Sequence, residues 1–231
     1  MTEQTLANTA DTVAGPHTLR GLVDNWSTDQ EVFKKVHWGK AMMWIFLVSD
    51  TFIFGCFLTA YMTVRSSTTV PWPNTSEVFA LTLFGESIPL ILIAIMTFIL
   101  ISSSGTMAMA VNFGYRRDRV KTCLLMFATA AFGASFVGMQ AFEWTKLIME
   151  GARPWENPWG AAQFSSCFFM ITGFHGFHVS VGVIYLITIA IKVLKGDFEA
   201  KGNYEVVEIT GLYWHFVDLV WVFIFAFFYL W

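Results

Sequence analysis

The sequence predicts an all-α integral membrane protein, a bundle of five transmembrane helices, and three observations predict it. Hydrophobic residues fill 55% of 231 positions and charged residues only 13%, more apolar than the core of a soluble domain of this size requires. Apolar runs of about 20 residues or more, the length that crosses a hydrocarbon core of ~30 Å, recur along the chain. Polar connections rich in Gly, Pro, Asn and charge separate them.

Residues 1–36 form a polar N-terminal segment, in which Glu3, Asp11, Asp24, Asp29 and Glu31 are set against Arg20, Lys34 and Lys35. No apolar h-region begins near Met1, so no cleavable signal peptide is expected. The bundle occupies 37–231, with spans expected over 38–62, 79–103, 120–149, 163–193 and 209–231. The first is followed by VRSSTTVPWPNTSE, the second by GYRRDR, the third by EGARPWENPWG and the fourth by KGDFEAKGN. Pro89 within the second run predicts a kink, because it removes a backbone donor. Small residues at i, i+4, i+8 (Ala130, Ala134 and Gly138 in the third run; Thr172, Gly176 and Ser180 in the fourth) predict close approach of neighbouring helices.

Orientation follows from the basic residues. Arg20, Lys34, Lys35 and Lys40, then Arg116, Arg117, Arg119 and Lys121, then Lys192, Lys195 and Lys201 fall on one side; only Arg65, Lys146 and Arg153 fall on the other. The N-terminus is therefore expected to be cytoplasmic and the C-terminus periplasmic. Trp38, Trp72, Trp144, Trp155, Trp159 and Trp231 lie near span ends, where an interfacial aromatic belt would place them. The net charge of -3, with no basic run interleaved with aromatics, excludes nucleic acid as a partner. Cys56, Cys123 and Cys167 sit in three different apolar runs and read as small packing residues, not as a thiolate centre or disulfide framework.

The informative residues are the ionisable ones inside apolar runs: Asp50, Glu86, Glu143, His175, His178, His215 and Asp218. A charged side chain near a helix centre costs roughly 2.5 to 3.5 kcal/mol on insertion scales, so each asks for a partner or a role. Glu205 and Glu208 stand at the mouth of the last run. Three readings compete. In the first, His175 and His178, three residues apart on one helical face, bind a metal or haem with His215; five histidines, two of them outside the runs, are few for that. In the second, carboxylates and imidazoles relay protons. In the third, which physical grounds favour, the groups pair with one another, with freed carbonyls or with headgroups and fix helix packing.

The segments TGFHGFHVSVG (Thr172 to Gly182), YWHFVDLVW (Tyr213 to Trp221) and MQAFEW (Met139 to Trp144) together closely resemble subunit III of the haem-copper respiratory oxidases. The likeness runs from about Lys40 to the C-terminus, and residues 1–36 show none. Asp50 falls where the family has a membrane-embedded, carbodiimide-reactive glutamate, with a side chain one methylene shorter. Glu143 and Glu208 also match family glutamates. The long family members have seven helices, and five spans would correspond to the last five.

The resemblance implies a non-catalytic subunit of a cytochrome c or quinol oxidase, with no catalytic residue and no metal in this chain. It implies haem and copper in partner subunits, bound phospholipid, and direct packing on subunit I, with subunit II and further small subunits nearby. Residence in the bacterial inner membrane and support of proton uptake during pumping follow from the same likeness. On this reading Asp50, Glu143, His175, His178, His215 and Asp218 form an intramembrane polar network in contact with lipid. Asp118, Asp197, Glu199, Glu205 and Glu208 form a cytoplasmic proton-collecting surface. A related accessory subunit of nitric-oxide reductases and a self-contained membrane haem or metal protein remain as alternatives.

Overall fold

The computed structural model describes residues 38–83, 86–198 and 204–230. The first of two compact units, Met1–Ala41, is described only over its last four residues; the second is Met42–Trp231. Five long helices carry the fold: α1 (Trp38–Ser67), α2 (Ile91–Tyr115), α3 (Arg119–Met149), α4 (Ala162–Lys195) and α5 (Glu205–Phe225). Each is long and apolar enough to cross a membrane, the last together with a π-helical end at Ala226–Leu230. A single helical turn, Thr75–Val78, and a two-stranded antiparallel hairpin, β1 (Ala80–Leu83) and β2 (Glu86–Pro89), connect α1 to α2.

Four helices close a ring: α2 packs on α3, α3 on α4, α4 on α5, and α5 back on α2. The last helix drives this closure with two indoles seven residues apart, hence on one face. The Trp214 ring is fully buried against Gly182, and its Nε1 donates to Ser103 Oγ at 2.9 Å. Trp221, also fully buried, donates to Thr97 Oγ1 at 3.0 Å and meets Phe136 edge-on, with ring centroids 4.6 Å apart. Gly133 of α3 completes this core, since any Cβ there would run into the Trp214 ring. α1 is the least buried helix and lies against the ring through a few side chains. Phe54 packs on Phe174, with centroids 5.2 Å apart, and Tyr61 on Phe228, with centroids 4.0 Å apart.

The second span departs from expectation. Its helix begins at Ile91, not near Phe79, and continues to Tyr115, well past Ser103. Residues before a proline are steered out of the helical region, and a short apolar run reads equally well as strand; here Pro89 ends β2 and Leu90 turns the chain with φ 58° before the helix starts. Pro89 therefore kinks no helix, and Glu86 belongs to β2, outside the spanning segment. At the other end the Ser103–Thr106 hydroxyls do not break the helix, because they bond their own turn: Ser103 Oγ to Leu100 O and Thr106 Oγ1 to Ser103 O.

Nor are the predicted small-residue rows the closest contacts. Ala134 and Gly138 are exposed, and a Cβ on Gly138 or Gly176 would meet nothing within 4 Å. Gly133, Gly173 and Gly182 are tight because they accept indole rings from other helices, not helix backbone.

Candidate functional site

The ionisable residues of the spans fall into separate clusters, built by different helix pairs. Asp50 of α1 faces His178 of α4, with Oδ2 3.0 Å from Nε2, ion-pair length but not aligned as a hydrogen bond. His178 Nδ1 lies 2.8 Å from the Phe174 carbonyl oxygen, which can only accept, so Nδ1 carries a proton. Tyr213 of α5 locks the arrangement by donating to the His178 backbone oxygen at 2.9 Å.

His175, one turn earlier, does not join this pair. Its ring is wholly buried and stacks on Trp221, with centroids 5.4 Å apart and planes at 26°. Neither ring nitrogen has a hydrogen bond among the described residues. Glu143 of α3 is also buried. It accepts from Gln140 Nε2 at 2.9 Å, one helical turn away, and from Tyr229 Oη at 3.2 Å. The π-helical end of the chain, whose wider turn re-aims side chains, delivers that tyrosine.

His215 and Asp218 of α5 converge on Ser104 of α2. Ser104 Oγ lies 2.6 Å from His215 Nδ1, and the Asp218 carboxyl faces the same hydroxyl. These groups are half-buried, unlike the other clusters. The spans' ionisable residues thus form no single continuous network: Asp50 with His178, Glu143 with Gln140 and Tyr229, and His215 with Asp218 are three groups, and His175 stands apart.

The acidic surface residues gather where α2 and α4 end and α3 and α5 begin. Asp118 caps α3, accepting from the Lys121 backbone N–H at 3.2 Å and pairing with its Nζ at 3.0 Å. The Lys121 side chain holds that carboxyl below the usual carboxylate range. Glu208 Oε2 accepts from Tyr115 Oη at 2.5 Å, joining α5 to the end of α2. Glu205 lies in the first turn of α5 and Asp197 just beyond α4; Glu199 lies outside the described residues. Two apolar grooves flank α1. One, of about 370 Å³, is walled by Phe46, Phe177, Val181, Tyr185 and Tyr213 with His178 at its edge. The other, of about 260 Å³, includes Phe54, Gly55, Leu58, Phe216 and Phe223.

Ser104, Gln140, Tyr213 and Tyr229 complete these clusters and are missing from the sequence-based site. Only Gln140, at i−3 from Glu143, carried a readable signal.

The family model for cytochrome c oxidase subunit III matches residues 24–231. The chain belongs to this family. The match begins at residue 24, so part of the polar N-terminal segment, which showed no likeness, is included in it. The "Probable quinol oxidase subunit 3" proteins of Staphylococcus saprophyticus and Staphylococcus aureus are both 33% identical to the chain over 188 residues, covering 81% of it and 86% of the relative. The protein is therefore a membrane-embedded subunit III of a terminal oxidase of the respiratory chain, and works in a complex with other subunits.

Proposed function

We propose that this subunit is non-catalytic, packs directly on subunit I of a proton-pumping haem-copper oxidase, and sustains proton uptake while oxygen is reduced to water. The haems and copper reside in partner subunits, with subunit II and further small subunits completing the assembly. The complex sits in the bacterial inner membrane, with the N-terminus of this chain cytoplasmic and its C-terminus periplasmic. The observation that carries this reading is the match of residues 24–231 to the subunit III family, and the dispersal of the ionisable residues is consistent with it. His175 turns to Trp221, His178 to Asp50 and His215 to Ser104, so the imidazoles do not converge on a common centre as ligands to one metal would. Among the described residues no three His, Cys, Asp or Glu side chains gather in metal-binding geometry.

Two further features support the reading. The grooves beside α1 have walls suited to acyl chains, consistent with bound phospholipid. Asp118, Asp197, Glu199, Glu205 and Glu208 lie among Arg116, Arg117, Arg119, Lys121, Lys192 and Lys195 in sequence, a mixture that raises the local supply of protons at a channel mouth. The test compares oxidase with and without this chain. Equal initial oxygen consumption, followed by faster loss of activity without the chain, is expected. Neutralising the five acids together is expected to lower turnover several-fold at alkaline pH, where protons are scarce; unchanged alkaline turnover contradicts the proton-supply role.

A further inference from the structure

Six carboxylates and imidazoles stand within the described spans, and they divide by exposure. Asp50, Glu143, His175 and His178 are buried within the chain. His215 and Asp218 are not: with Ser104 they lie half-buried in the crevice between α2 and α5. Ser104 lies 13 residues into α2, roughly 20 Å along the helix axis from its start and well inside the hydrocarbon layer. A helix face that meets lipid should carry no such groups. The outer face of α1 meets this standard, exposing Trp44, Ile45, Val48 and Phe52 while its one mid-span carboxylate, Asp50, turns inward.

Hydrogen-bond accounting specifies what the crevice lacks. Ser104 has one hydroxyl proton for two acceptors, His215 Nδ1 and the Asp218 carboxyl. If His215 Nδ1–H donates to Ser104 Oγ and the hydroxyl donates on to Asp218, each proton is used once. His215 Nε2 then remains an acceptor; Asp218 Oδ1 also has no hydrogen-bond partner among the described residues, but that atom is itself buried within the chain. What the cluster leaves over is acceptors. Beside it the surface is low: Gly105 and Ala108 are exposed, and a Cβ on Gly105 would meet nothing within 4 Å, so another helix can approach closely.

We propose that the α2–α5 face around Ser104, His215 and Asp218 is the surface on which this subunit docks in its complex, against a transmembrane helix of another oxidase subunit. That helix presents a hydrogen-bond-donating side chain, an ammonium, guanidinium, hydroxyl or indole, to the His215 imidazole of this cluster. The inference rests on the subunit III reading and adds which face is used and what the partner must supply.

The test uses the intact complex in native membranes. A photoreactive phenylalanine analogue is placed in turn at Ile101 and Val222, exposed residues beside the cluster, and at Phe52 on the outer face of α1. Adducts to a second polypeptide at least tenfold more abundant from 101 and 222 than from 52 are expected. If the chain is retained with its large subunit but polypeptide adducts arise equally or mainly from 52, this face is not the docking surface, and the function proposed above still stands. If the chain is retained with no large subunit, both fall. Gly105→Leu, which has room within this chain, is expected to reduce the amount of subunit retained after mild detergent about tenfold while its helix content is unchanged; undiminished retention overturns the proposal.

Discussion

Nδ1 of His178 must carry a proton, because the Phe174 carbonyl it faces can only accept, and its Nε2 lies 3.0 Å from Asp50 Oδ2, which joins α4 to α1. Interhelical polar contacts in membranes are worth about 0.6 to 2 kcal/mol. Asp50→Ala and His178→Ala are each expected to cost about 1 to 2 kcal/mol, with a coupling of about 1 kcal/mol in a double-mutant cycle followed by denaturation in detergent; additive effects would show that the pair does not interact. His175 behaves oppositely. Its two nitrogens are buried without partners, an arrangement that costs about 1 to 3 kcal/mol for a polar group. His175→Leu should therefore leave the unfolding midpoint unchanged or raise it, and a marked fall would reveal a partner. At this scale the sequence was half legible. Ionisable residues in apolar runs announce themselves by their insertion cost, so Asp50, Glu143, His215 and Asp218 could be singled out. Their partners could not: Ser104 and Tyr229 reach them from other helices, and the rotation and register of those helices are set by packing that no local pattern records. Gln140 is the exception because helical periodicity alone places it beside Glu143.

Among the elements, α3 and α4 were readable to within two residues because their polar connections coincide with real caps: Asp118 begins α3, and Gly196, with φ 82°, ends α4. α2 was misplaced because the apolar run entering it is strand, not helix, over Ala80–Leu83 and Glu86–Pro89, and periodicity cannot separate a short buried helix from a hairpin. Asp118 offers a pH test of the capping argument. Its carboxyl, held down by Lys121, has a lower proton affinity folded than unfolded, so its contribution to stability is present above the ordinary carboxyl value of 3.8 and is lost as pH falls through the lower folded value. Asp118→Ala is expected to lower the melting temperature at pH 7, with the difference from wild type shrinking as pH falls below 3.8. A difference independent of pH would mean that the charge is not what caps α3. The mispredicted small-residue rows teach a related lesson: Gly133 and Gly182 matter because Trp214 fills the space against them, and nothing local to α3 or α4 points to an indole on α5.

Within Met42–Trp231 the described residues form a closed ring of four helices with α1 laid against it and polar clusters spread between different helix pairs. That layout is consistent with the proposed role of holding position and supplying protons in a larger assembly, and among the described residues no three His, Cys, Asp or Glu side chains gather in metal-binding geometry. Asp50, Glu143, His175 and His178 are buried within the chain, whereas His215 and Asp218 lie half-buried at an open crevice. The central claim is that oxidase chemistry belongs to the partners. Its most direct test is to tag this chain, purify it in mild detergent, and record haem and copper content before and after stripping the other subunits away. The account predicts haem and copper stoichiometric with the co-purifying large subunits and none left with the isolated, still helical chain. A stoichiometric haem or metal retained by this chain alone would contradict it.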